Sequence, residues 1–419
     1  MESGLVKVAA PQTAQRLDEF TVIGDPGCDG LGAATMSVLA RALTCHPGQC
    51  CIIAGDIVPC GIKPLYGHVR DFIRMAAITP VYTLCGNHDT EFFDEYFGRR
   101  EYVIADERLL VLVLDNSRRV FSPETLAFCA ESLERNRQRN VMLMFHIPPP
   151  NRKTDNSIAA AEWEKMRPLL AAHRQRIKYV VCGHVHSYIE DEIDGIPLII
   201  TGGGGARIEP VGSDEACHVG HHVIRFGFDP DGVLRHSFES LDGCQYDRET
   251  QDSKLAAFLD NAWRNECQAH LRYRIFADDA SEQGQPGLAH LFRALSESEY
   301  YHARNHYCAL GKRQPMEDNL RDSVAAENFE VNSLYKEYAD YAVSAGLPLA
   351  QYSFSNAREA EKVHNGLLRQ ALAACENGKD LEDGQFFTCT SCGYTFKMNQ
   401  APTRCPICGA PADKIMPAL

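Results

Sequence analysis

Glu299-Tyr-Tyr-His302 and Glu361-Lys-Val-His364, followed by Cys389-Thr-Ser-Cys392 and Cys405-Pro-Ile-Cys408, decide how the C-terminal half of this 419-residue chain is read. A spacing of three places each Glu and its His on one helical face, a turn apart. Two such pairs, joined by a single Glu from each of two more helices, form the side-chain set that holds two irons inside a four-helix bundle. The extra carboxylates are present. Glu266 shares a helical face with Tyr273, and Glu327 and Glu330 precede Tyr335 and Tyr338. Surface charges also recur at this spacing, but Glu299, Glu327 and Glu361 have apolar or aromatic neighbours at helical positions. Their faces are therefore expected to be buried, and an ionised carboxylate is not buried without a partner. The di-iron set is Glu266, Glu299, His302, Glu327, Glu330, Glu361 and His364. Cys389, Cys392, Cys405 and Cys408 form a tetrathiolate site. Zinc is the usual alternative for such a set, but the Cys-Pro-x-Cys-Gly knuckle beside a di-iron bundle favours one iron.

The rest of the chain carries a different pattern. From about residue 19 to 240, short β-branched runs alternate with helical stretches: FTVIG, CCIIAG, VYTLCG, LLVLVLD, VMLMF, YVVCG and PLIITGG. Each is bounded by Gly, Pro or Asp, which predicts an α/β domain. The polar segment LDGCQYDRETQD, residues 241–252, breaks the pattern. Beyond it the period shifts to that of four long helices, and a polar linker, 377–384, leads into the cysteine-rich tail. Three domains are expected: 1–245, a four-helix bundle over 252–378, and a small iron–sulfur domain over 385–419. The formal net charge of −14 argues against nucleic acid or an anionic membrane as partner. No run is long and apolar enough for a membrane helix, and MESGLVKVAAPQTAQRLDEF has no continuous apolar core of a signal peptide. Of seventeen cysteines, four sit in CxxC motifs and the others are scattered, which fits a reducing, oxygen-poor cytoplasm.

Five motifs directly follow predicted strands: Gly24-Asp25, Gly55-Asp56, Gly86-Asn87-His88-Asp89, His146-Ile-Pro-Pro149 and Gly183-His184-Val-His186. Strand ends of an open α/β sheet converge on one crevice, so these residues can meet. Their mix of oxygen and imidazole donors suits Mn, Fe or Zn, and two such metals side by side stabilise both oxygens of a phosphate ester under attack.

On these motifs, residues 19–240 resemble the calcineurin-like metallophosphoesterases, which implies a two-sheet sandwich flanked by helices. The resemblance makes Asp56 the metal bridge, gives Asp25 and His186 to the first metal, and gives Asn87, His146 and His184 to the second. His88 becomes the general acid or phosphate-orienting group. Two departures stand out. The family's Asp-x-His reads Asp25-Pro26-Gly27-Cys28 here, and its Gly-Asp-x-x-Asp-x-Gly reads Gly55-Asp-Ile-Val-Pro59-Cys60-Gly61. With Gly27 where the His belongs, Cys28 or Asp29 replaces the lost ligand, or the domain works with one metal. An imidazole restored at position 27 is expected to tighten the first metal unless Cys28 already fills it. Substrate choice is assigned to loops such as 203–222, with His218, His221 and His222.

Residues 253–419 resemble rubrerythrin, a ferritin-like di-iron bundle followed by a rubredoxin domain. That resemblance implies a homodimer or higher homo-oligomer reducing hydrogen peroxide, with electrons from a donor such as an NAD(P)H-dependent reductase arriving through the Fe(Cys)4 centre. The whole then reads as a di-iron peroxidase fused to a hydrolase of a small phosphoester. The alternative is a phosphoesterase governed by a redox-sensing module. Oxidised protein should be red from thiolate-to-iron charge transfer, with iron content approaching about three per chain from the C-terminal half. A colourless protein expressed with ample iron and holding one tight zinc would overturn the rubredoxin reading.

Overall fold

Two sheets stacked face to face place the N-terminal motifs. The computed structural model describes residues 4–209, 211, 217, 218, 220–244, 246, 248–381, 384–398 and 402–417. In the six-stranded sheet the order is Gly4–Leu5, Pro80–Thr83, Cys51–Ile53, Glu19–Ile23, His222–Phe228, Leu234–Ser240. Its first four strands are parallel, and the last two join antiparallel. The eight-stranded sheet runs Cys217–His218, Tyr188–Ile193, Ile196–Thr201, Ile177–Cys182, Asn140–Met144, Leu109–Val113, Tyr102–Ala105, Gln12–Ala14. The seven apolar runs read from the sequence all form strands.

Alternation along those strands sends one set of side chains between the sheets and the other outward under helices. Val22, Ile52, Val111, Met142, Val181 and Phe226 fill the space between the sheets. Outside the larger sheet, Trp163 and Met166 pack with Leu133 on Leu143 and Leu198. Outside the smaller sheet, Leu39, Tyr66 and Ile73 pack on Ile23 and Ile53. The result is the helix-flanked two-sheet α/β sandwich expected from the sequence.

The chain divides into two compact units, Met1–Arg313 and Gln314–Leu419. In the first, the sandwich is followed by paired helices Ser253–Glu282 and Pro286–Ala309. Asp252 starts the pair by accepting from the backbone N–H of Lys254 (2.9 Å) and Leu255 (3.1 Å). Gly284, with φ 71°, and Pro286 at the first helical position make the turn. The helix Ala33–Thr44 of the sandwich packs against Pro286–Ala309 within this unit.

In the second unit, Met316–Phe329 runs into a π turn, Glu330–Leu334, and continues as Tyr335–Ser344, packed on Pro348–Glu376. A three-stranded sheet follows, ordered Thr395–Met398, Gln385–Cys389, Ile415–Pro417. The expected bundle helices thus fall two in each unit. No helix among the described residues is long and apolar enough to cross a membrane.

Phe226 is fully buried, stacked on Phe20 at 5.5 Å and edge-on to Tyr179 at 5.2 Å. Phe226→Ala should cost about 3–5 kcal/mol in the unfolding transition of the sandwich. Denaturation followed by near-ultraviolet circular dichroism checks this.

Candidate metal centres

Asp25, Asp56 and His184 each take a left-handed backbone at their strand ends, with φ of 58°, 50° and 74°. Such conformations are costly for residues with a Cβ and persist where the surroundings dictate them. Here tight loop packing does so. A Cβ on Gly86 would lie 2.1 Å from Asp56 Oδ1, so glycine is what lets the Asn87–His88 loop close over Asp56. Asp89, fully buried, braces that loop: it accepts from the backbone N–H of Ile57 (2.9 Å), Val58 (3.0 Å) and Gly86 (2.9 Å). Burial and the nearby Asp56 push its carboxyl up to about 7.

The five motifs meet. Asp56 Oδ2 lies 3.2 Å from both His146 Nε2 and Cys28 Sγ, and 3.9 Å from His88 Nε2. His146 Nε2 is 3.0 Å from Asn87 Oδ1 and 3.3 Å from His184 Nδ1, while its Nδ1 donates to the Ala54 carbonyl at 2.8 Å. Asp25 Oδ2 accepts from the His184 N–H at 2.9 Å. The other oxygen, Oδ1, is buried without a hydrogen-bond partner and faces His186 Nε2 at 3.8 Å. His88 Nδ1 donates to the Pro59 carbonyl at 2.7 Å, leaving Nε2 free.

Burial alone would raise Asp56 and lower His146. Their mutual attraction wins, so Asp56 sits below the ordinary carboxylate range and His146 rises to about 10. Burial raises Asp25 well above that range. Burial, then His146, lowers His184 to about 3. The Cys28 thiol is raised by burial and by Asp25 and Asp56. A protonated His146 and the raised Asp25 carboxyl, crowded at this spacing, are groups on which a divalent cation replaces protons.

Two groups escaped the sequence reading. Arg119, with φ 64°, places Nη2 3.0 Å from His184 Nε2, and Asn156 Oδ1 lies 2.9 Å from that same nitrogen. The signal for Arg119 was a polar loop, Asp115-Asn-Ser-Arg-Arg119, directly after the strand Leu109–Val113. Restoring an imidazole at position 27 is ruled out. A Cβ there would stand 2.0 Å from the Ile57 carbonyl oxygen, so Gly27→His would push the Asp56 loop apart instead of tightening a metal. The loop histidines are packing groups: His222 is buried between Thr201 Oγ1 (3.0 Å) and the Gly220 carbonyl (2.8 Å), and His218 stacks on Tyr188. His221 Nδ1 faces the Gly203 carbonyl at 3.2 Å. Residues 210, 212–216 and 219 of that loop lie outside the described residues.

Each helical pair carries its own cluster. In the first unit, His302 Nδ1 is 2.7 Å from Glu299 Oε2 and 4.0 Å from Glu266 Oε2. In the second, His364 Nδ1 is 2.6 Å from Glu361 Oε2 and 4.0 Å from Glu327 Oε1. Glu330 opens the π turn beside Glu327, and such turns recur at functional sites. The carboxylates expected to be buried are partly so, with side chains 17% exposed at Glu299 and Glu361 and 22% at Glu327.

Glu327 Oε2 is nevertheless orphaned, and burial with the hydrogen-bonded Glu361 pushes Glu327 up to about 8. Cys389, Cys392, Cys405 and Cys408 converge, with Sγ pairs at 3.7 and 3.6 Å, on knuckles closed by Gly393 and Gly409 at φ 78° and 74°. Thr395 Oγ1, three residues beyond Cys392, lies 3.1 Å from His364 Nε2.

A chain so built is a multidomain metalloprotein, a phosphoesterase-type sandwich followed by a di-iron and rubredoxin-type redox module. Residues 19–188 match the calcineurin-like phosphoesterase family, 257–372 match rubrerythrin, and 387–415 match the rubredoxin-like domain of rubrerythrin. Rubrerythrin-2 of Clostridium acetobutylicum is 30% identical over 178 residues, 39% of this chain and 96% of the relative. Nigerythrin of Nitratidesulfovibrio vulgaris is 30% identical over 181 residues, 39% of this chain and 88% of that one. A dimetal phosphatase structure from Danio rerio aligns at 14% identity and TM-score 0.39, covering 53% of this chain and 96% of that one. The chain belongs to the rubrerythrin family, with a calcineurin-like phosphoesterase domain fused ahead of the rubrerythrin domains.

With its carboxyl at about 8, Glu327 is mostly protonated at pH 7 in the metal-free chain and ionises as pH rises through that value. Cation loading at pH 7 should therefore release a proton from it, and apparent affinity should climb toward pH 8 and then level. Calorimetric Mn(II) titrations in buffers of different ionisation enthalpy measure the release. It should shrink in Glu327→Gln.

Proposed function

We propose that the C-terminal half reduces hydrogen peroxide to water, with electrons entering from an NAD(P)H-dependent reductase through the tetrathiolate iron. The observation supporting this most directly is the Thr395–His364 contact, which ties a di-iron ligand to the cysteine knuckle inside one compact unit. Bound irons supply the electron-transfer chemistry. Glu266, Glu299 and His302 in the first unit, and Glu327, Glu330, Glu361 and His364 in the second, would be the iron ligands. In both Glu-x-x-His pairs the imidazole and carboxylate already face one another, so little reorganisation precedes metal capture. Cys389, Cys392, Cys405 and Cys408 hold the single iron.

For the N-terminal domain we propose metal-dependent hydrolysis of a small phosphoester. Asp56 would serve both metals, with Asn87, His146 and His184 holding one and Asp25 and His186 the other. His88, anchored by its Nδ1–H, would act as the imidazolium and give its Nε2 proton to the leaving oxygen, while Arg119 beside His184 takes a phosphoryl oxygen. A second reading, in which the redox module governs hydrolysis, draws support from one contact within the first unit. There the helix Ala33–Thr44, which follows the Cys28 loop, packs on Pro286–Ala309, the helix carrying His302. Under that reading hydrolysis rates differ between oxidised and reduced protein.

Glu266→Ala or Glu327→Ala should abolish peroxide consumption by reduced protein while leaving the red chromophore. Undiminished turnover would place the chemistry elsewhere. Asp56→Asn should abolish hydrolysis of an aryl phosphate, and His88→Ala should lower it by roughly 10²–10⁴-fold with metal content unchanged.

A further inference from the structure

We propose that Cys28 is the thiolate ligand of the first metal in the phosphoesterase site, standing in for the missing imidazole and making that position selective for thiophilic divalent cations. This rests on the metal-dependent phosphoesterase reading and assigns one ligand and a metal class within it.

Three residues compete to replace the lost imidazole, and the backbone decides among them. Gly27 has no room for a side chain, because the Ile57–Val58 peptide occupies the space a Cβ would fill. Asp29 is exposed, and its carboxylate is taken by the backbone N–H of Arg207. Cys28, partly buried, turns its Sγ inward to 3.2 Å from Asp56 Oδ2.

Donor atoms of Asp25, Cys28 and His186 lie within 4.8 Å of one another, and those of Cys28, Asp56 and His88 do likewise. The two groups share Cys28, and its neighbour Asp56 is grouped in turn with His146 and His184. Independently, Asp25 Oδ1 is fully buried, has no hydrogen-bond partner and faces His186 Nε2. An orphaned carboxylate oxygen there is costly unless a cation takes it. Asp25, Cys28, Asp56 and His186 then make a four-donor O/S/O/N set. Zinc, cobalt or ferrous iron accept such a set with a thiolate, whereas Mg and Mn favour all-oxygen surroundings. On coordination the thiol proton leaves to solvent.

The test uses the full chain, stripped of metal and titrated with Co(II), with wild type, Cys28→Ser, Cys28→Asp and Asp56→Asn compared. The tetrathiolate site contributes equally to all four and cancels in difference spectra. Wild type minus Cys28→Ser should show a near-ultraviolet thiolate-to-cobalt band, and the serine variant should bind that cobalt at least about tenfold more weakly. Cys28→Asp should keep the cobalt, lose the band and shift the preference toward Mn(II), which also guards against a serine variant that fails to fold. If wild type and Cys28→Ser have the same spectrum and cobalt content while Asp56→Asn loses cobalt, the Cys28 assignment is overturned and the phosphoesterase metal reading stands. Should Asp56→Asn also keep its cobalt, the metal reading itself fails.

Discussion

Asp25, Asp56 and Asp89 enter the protein interior together at the ends of separate strands, and the N-terminal domain is arranged around the problem this creates. Burying a carboxylate costs several kcal/mol unless charge or hydrogen bonds replace the lost water. Each aspartate is handled differently. Asp89 takes three backbone N–H groups and becomes a brace. Asp56 is held by His146 and the His88 amide. Asp25 satisfies one oxygen and leaves the other bare. The left-handed backbone at Asp25 and Asp56 is the conformational cost of aiming both into one crevice.

The helical half meets the same electrostatic problem with simpler geometry. A Glu three residues before a His shares its face whatever the loops do, so both Glu-x-x-His pairs could be read from spacing alone. The structure keeps that register in each unit. The loops of the sandwich impose no comparable period. There the sequence showed which residues collect, because each motif follows a strand and four of the five open on a glycine, but not where each side chain aims. That Gly27 is filled by backbone and that Cys28 turns inward depends on the Ile57–Val58 peptide, thirty residues away.

The strands show the same division. Apolar runs buried on both faces were legible because they are continuous. Tyr188–Ile193, with Glu190, Asp191 and Glu192 in its middle, was not. Its signal lay in the following Asp194-Gly195, whose φ of 51° and 75° make the two-residue hairpin turn such a pair favours. Arg119 was hidden for a related reason, since a lone arginine after a strand has no spacing partner to mark it. The division of the helices two to a unit was also beyond pattern reading, because periodicity reports a helix's faces and not which helix covers them.

What makes the chain more than tethered modules is the continuity of its elements inside each unit. The loop that carries Asp25 and Cys28 feeds the helix Ala33–Thr44, and that helix packs on Pro286–Ala309, the helix carrying Glu299 and His302. In the second unit, Thr395 reaches from the cysteine knuckle to His364. Contact alone does not make coupling, which requires an element with two arrangements that both sites bias. The helix Pro286–Ala309 is well placed to be tested for that role, because it bears carboxylates whose charge a metal changes and packs on the helix that follows the Cys28 loop. A thiolate at Cys28 adds to the argument. Among the proposed ligands of the sandwich it is the one that peroxide oxidises most readily, and it lies in the same chain as the module proposed to remove peroxide.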